Sequence, residues 1–208
     1  MKKHLFFSAI LLLAIMSVSC IDQYDLTERD KTYIFLFEDI ENLDISEYQT
    51  RLYKNNKEYI FLKGKTKFGE YNYIYDSSLL DKDGNVIRMR TNISLLLNIN
   101  RAKRLFESCV GKSLYKGLLK NRLFRGLRDV DIQKKYLNKI SPEIYSADQL
   151  LSFTIEGNYF FIVLRKGKLV YSITVEGVFI DESQIRDNLN KKLLYIEGNE
   201  AVIKNLSL

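Results

Sequence analysis

The chain has 208 residues, with 32 Lys or Arg against 26 Asp or Glu and a formal net charge of +6. Hydrophobic content of 46% and charged content of 28% exclude a disordered or low-complexity chain, and the length suits one domain with a substantial core.

The first twenty residues form a targeting pattern. Lys2 and Lys3 make a positive start, and residues 5–16 are apolar except for Ser8. As a helix that run rises about 18 Å, at roughly 1.5 Å per residue. A bilayer core is about 30 Å thick, so the run is too short to span it comfortably. The small residues Ser17, Val18 and Ser19 follow, and then Cys20. Such a leader is a processing signal and stands outside the fold. Ser17-Val18-Ser19-Cys20 resembles the lipobox of bacterial lipoproteins, although Ser17 stands where that motif usually has Leu. The resemblance covers these twenty residues only. It implies cleavage before Cys20, a diacylglyceryl group on its thiol, and a lipid anchor at a membrane of the cell envelope. Two or three acyl chains make a stable anchor, where one is marginal.

The mature chain would then hold 189 residues and no histidine, because the only one is His4. That excludes Ser-His and Cys-His nucleophile pairs and any metal site with a His ligand. Cys109 would be the only cysteine not consumed by lipid, so no disulfide forms within the chain. It lies in an apolar helical stripe, where a buried inert thiol is the commoner outcome.

Residues 21–31 are polar and read as a short tether, reaching at most about 40 Å when extended. Residues 32–37 are β-prone, and 39–53 show weak helical spacing. Strands follow at 58–63, at 69–75 and at 86–93. The last two are joined by the turn residues Asp81, Lys82, Asp83, Gly84 and Asn85. In the middle, Ile99, Ala102, Leu105, Phe106, Cys109 and Val110 recur at helical spacing, continued by Leu114, Tyr115, Leu118 and Leu119. Gly111, Gly117 and Gly126 are expected to break this helix into pieces. Asp131 would cap a further helix, with Ile132, Tyr136 and Ile140 on one face, ending before Pro142. Strands return at 151–156, 159–165 and 169–176, with two-residue turns at Gly157-Asn158 and Lys166-Gly167. The run at 159–164 is apolar on both faces, as in a central strand. Asp181 and Gln184 form a capping box before a last helix with Ile185, Leu189 and Leu193 on its inner side.

This order of elements predicts an α+β fold. Its largely antiparallel sheet takes N- and C-terminal strands, with a helical middle segment and a C-terminal helix. The expected organisation is a signal peptide at 1–19, the lipidated Cys20 and tether at 20–31, and a single domain at 32–208.

Several motifs admit a chemical reading and a structural one. Gly111-Lys112-Ser113 matches the end of a phosphate loop, but position 106 is Phe where a Gly is needed. Asp81 to Asn85 lack the ligand spacing and closing Glu of a calcium loop, so a turn is the better reading. Tyr71, Tyr73 and Tyr75 share one strand face. They form either a stacking surface for sugars or a protein partner, or a half-buried face packed on a helix, which is the commoner case. Glu38, Asp39, Glu41 and Asp44 supply carboxylates, but a hydrolase needs two acids facing each other across a cleft. No catalytic residue, cofactor or metal ligand is assigned.

Charge is the strongest signal in the body. Residues 101–139 contain twelve Lys or Arg against three acids, whereas the rest of the mature chain has eighteen against twenty-three. Lys112, Lys116 and Lys120 recur every four residues along one helix face, and Arg122 and Arg125 follow. Such a face suits anionic lipid, an acidic protein or nucleic acid, and the expected export disfavours the last. A solvated helix face without a partner is the structural alternative. The sequence therefore points to a non-enzymatic binding or scaffolding lipoprotein. A surface lipoprotein that binds a host or environmental protein through its Tyr face is the second reading. A carboxylate-dependent envelope hydrolase is the third.

Overall fold

A computed structural model describes residues 22–52, 57–65, 69–120, 140–155 and 159–199, with side chains described except those of residues 22, 111–120 and 155. The fold is α+β. Among the described residues the elements are β1 (Asp22–Gln23), α1 (Glu28–Lys31), β2 (Gln49–Thr50), β3 (Tyr59–Lys65), β4 (Tyr71–Leu80) and β5 (Val86–Leu95). They continue with α2 (Ile99–Lys120), β6 (Gln149–Ile155), β7 (Tyr159–Lys166), β8 (Leu169–Glu176) and α3 (Ser183–Gly198). One antiparallel sheet runs β1-β3-β4-β5-β8-β7-β6, and β2 pairs separately with β4.

The predicted hairpin chemistry operates between β4 and β5. The Asp81 carboxylate accepts from the backbone N–H of Asp83 and Asn85 and from the Asn85 side chain, and Gly84 takes a φ of 79°. Between β7 and β8 the two-residue loop is Gly167-Lys168, one position later than expected, with Gly167 at φ 55°. The turn at Gly157-Asn158 lies outside the described residues, as do Gly126 and residues 131–139 of the further helix.

Period-two alternation assigns the two faces of the sheet. Phe61, Tyr71, Tyr73, Tyr75, Ile93, Tyr171, Ile173 and Ile162 lie on the first and build the main core. Over them lie α3, through Ile185, Leu189, Leu193 and Ile196, and the segment 33–40. The second face is covered by α2 beneath β6, β7 and β8, where Ala102 and Phe106 meet Phe153, Phe161, Val163 and Val170. Six consecutive residues of β7, Phe160 to Arg165, are buried because both faces are covered. This matches the expectation of an internal strand.

Three local expectations are corrected. Residues 32–37 form no strand, although Tyr33, Ile34, Phe35, Leu36 and Phe37 are all buried. The segment crosses the first sheet face, and side chains satisfy its backbone: Thr91 donates to the Phe35 carbonyl at 2.7 Å and Tyr171 to the Tyr33 carbonyl at 2.8 Å. A consecutive apolar run reports burial on all sides, which a covering segment achieves as well as a strand. Next, α2 passes unbroken through Gly111 and Gly117. A glycine costs a helix only about 1 kcal/mol relative to Ala, less than the packing of an amphipathic face contributes. Lastly, the tether is folded from residue 22 onward. β1 pairs with β3, with Asp22 opposite Lys63, and α1 starts with a capping box between Thr27 and Asp30.

Candidate functional site

The predicted site residues fall on one helix and beyond it. The backbone of α2 starts at the Asn98 cap, whose side-chain oxygen accepts from Arg101 N–H at 3.0 Å. The corner before it is tied to the sheet, because Leu96 N–H donates to the Lys168 carbonyl at 3.0 Å. From there α2 climbs along β7 and β8 and continues to Lys120. Positions 112, 116 and 120 therefore stand one turn apart on a continuous helix, as the four-residue spacing predicts. At about 1.5 Å per residue they lie roughly 20 to 30 Å from Ile99 along the axis. Arg122, Arg125 and Cys20 lie outside the described residues. Cys109 is half-buried against the smaller core beside Leu105 and Val110.

The Tyr face is core. Tyr71, Tyr73 and Tyr75 are all buried, and Tyr33 meets Tyr73 edge-on at 5.7 Å between ring centres. The reading in which these rings bind an outside partner is corrected, because the segment 33–40 and α3 occupy that face. The acidic cluster is likewise spread out. Asp39 accepts from Leu36 N–H and lies 3.0 Å from Lys192 Nζ. Asp44 accepts from Ser46 N–H, and Glu38 and Glu41 are exposed.

Sequence reading missed the buried polar clusters, since each joins residues far apart in the chain. At the first, Asp30 lies fully buried, 2.9 Å from Lys63 Nζ, and accepts from the Tyr33 hydroxyl. Burial alone would raise the Asp30 carboxyl. The bonds from Tyr33, Lys63 and Thr27 outweigh it and hold the group below the ordinary carboxylate range. Burial, reinforced by the Asp30 bond, pushes the Tyr33 phenol far above its usual value. Lys63 also lies over the rings of Phe61 and Tyr24, at 5.0 and 5.5 Å. This cluster fastens the N-terminal residues to the sheet. At the second, Glu182 accepts from Tyr145 and from Arg186 and joins the turn at Pro142–Tyr145 to α3. At the third, Arg165 binds Asp148 at 2.7 Å and Gln149 at 2.6 Å and closes the edge between β6 and β7.

Among the described residues no group of three or more His, Cys, Asp or Glu could hold a metal ion, and no helix is long and apolar enough to cross a membrane. No protein-family model, curated protein or solved structure matches the chain.

Proposed function

We propose that the chain is a non-enzymatic lipoprotein of the cell envelope, anchored through Cys20, whose basic helix half is presented to an acidic protein partner. The observation that carries the reading is the course of α2. It starts at the sheet end where β5 stops and runs away from it, unbroken, to Lys120. The chain enters the fold toward that same end. β1 is antiparallel to β3, so Asp22 lies nearer Lys65 than Gln23 does, and the register carries Lys65 across Tyr71 to Leu95. One residue, Ile21, separates Cys20 from Asp22, so the two lie within a reach of about 7 Å. A body held so closely at one end points the far half of α2 away from the anchoring membrane. This favours an acidic protein over the anchoring bilayer as the partner of Lys112, Lys116 and Lys120. A charged helix face steers such a partner over roughly one Debye length, about 8 Å at physiological salt. The large buried side-chain clusters are engaged in joining elements, which suits a scaffold.

The anchor is tested by feeding expressing cells a palmitate analogue. The native chain should take up label and Cys20→Ser should not. Equal labelling of the two would remove the anchor and the reading with it.

A further inference from the structure

One end of the sheet carries features that the basic helix half does not explain. The corner between β5 and α2 exposes Leu97 and Ile99, with 53% and 48% of their surfaces open. Single exposed apolar residues are ordinary on a protein surface. These two flank Asn98 at the corner, and the Asn98 side chain caps the first turn of α2. Lys103 lies four residues after Ile99, on the same helix side, and is exposed. Lys168, in the β7–β8 turn, is exposed and bonded through its carbonyl to Leu96. Lys65 ends β3 at this level of the sheet, exposed, with its ammonium 5.4 Å from the Tyr71 ring centre. Among the described side chains at this end, Glu70 is buried and pairs with Arg101 at 3.0 Å, and Asp148 pairs with Arg165. Glu197 pairs with Lys166 at 2.6 Å.

We infer that this end of the sheet is a membrane-docking surface: Leu97 and Ile99 enter the interfacial layer of an anionic bilayer while Lys65, Lys103 and Lys168 lie against its head groups. The inference rests on the anchor at Cys20 proposed above. What names the occupant is where the chain leads. Asp22 lies toward this end of β3, and Cys20 is within about 7 Å of Asp22. Three strand spacings, about 14 Å, separate β1 from β5. A bilayer reached by lipid on Cys20 therefore passes close beneath the Leu97 corner. Apolar residues ringed by lysines are the composition that binds at such an interface, and each lysine near an anionic surface adds to the attraction.

The chain contains no tryptophan, so single substitutions report their own surroundings. Leu97→Trp, Ile99→Trp and Phe179→Trp would be made in the full chain, purified from membranes and reconstituted on vesicles of phosphatidylglycerol and phosphatidylcholine with brominated acyl chains. Phe179 is the control, 60% exposed and three residues beyond the opposite end of β8. Docking gives blue-shifted emission at positions 97 and 99, with most of it lost to bromine quenching, and solvent-like emission at 179. Sedimentation of the vesicles separates the two levels of the argument. A chain that stays with the vesicles but emits as in water at 97 and 99 overturns docking and leaves the anchor standing. Quenching at 179 instead overturns it by reversing the orientation. A chain that does not stay with the vesicles removes the anchor and the docking together.

Discussion

Asp30 and Lys63 show how a single pair fastens a chain terminus. The carboxylate is fully buried, so removing its cationic partner leaves an uncompensated charge. Lys63→Met should cost about 3 to 5 kcal/mol, the range for breaking one side of a buried pair, read from urea unfolding. The pH dependence has a definite sign. The Asp30 carboxyl is held below its ordinary value in the folded state. Its contribution is therefore present above about pH 4 and is lost as pH falls through the folded value. Asp30→Asn should flatten the acid limb of stability measured between about pH 5 and pH 2. An unchanged acid limb would show that the pair contributes nothing to acid unfolding. Neither role was legible in the sequence: Asp30 stood in a stretch read as tether, and its partner is 33 residues away.

At the level of elements, the strands and helices follow their local signals wherever one periodicity dominates. Alternation in 71–77 and 87–95 yields β4 and β5, and Ile185, Leu189 and Leu193 yield the inner side of α3. Only half of the expected capping box forms: Gln184 accepts from Asp181 N–H at 2.9 Å, but the Asp181 carboxylate accepts from Ser183 N–H, and Glu182 holds the N-cap position of α3. Gly177 carries a constraint that no sequence pattern announces. It has φ 94°, and a Cβ placed there would come within 2.4 Å of the Val86 carbonyl oxygen. Gly84 has a similar φ of 79° with open space around it. Gly84→Ala should therefore cost about 1 kcal/mol from backbone strain alone, and Gly177→Ala at least about 2 kcal/mol more, because two backbones must separate. Thermal unfolding of the two variants side by side checks the difference, and equal losses would show that β5 and β8 yield freely at that point.

For the whole molecule, orientation is the property that matters. If the Leu97 end meets the bilayer, the far half of α2 is free for a partner. The variant Lys112→Glu, Lys116→Glu, Lys120→Glu, made in the full chain carrying Leu97→Trp, should then leave the blue-shifted emission at position 97 on anionic vesicles unchanged. In detergent it should elute from an immobilised polyanion at clearly lower salt than the native chain. Loss of that blue shift, with the chain still on the vesicles, would instead assign that helix half to lipid. By itself the sequence determined the α+β class and the basic composition of the α2 half, and it raised the expectation of a leader ending at Cys20, because each is written in local composition or in a period of two or four residues. Only the tertiary structure decided that residues 22–31 belong to the body, that the Tyr face is core, and that Leu97 and Ile99 share an end with the chain's entry. Those facts depend on which strands pair and in what register. That is settled by contacts between residues tens of positions apart, which no local pattern encodes.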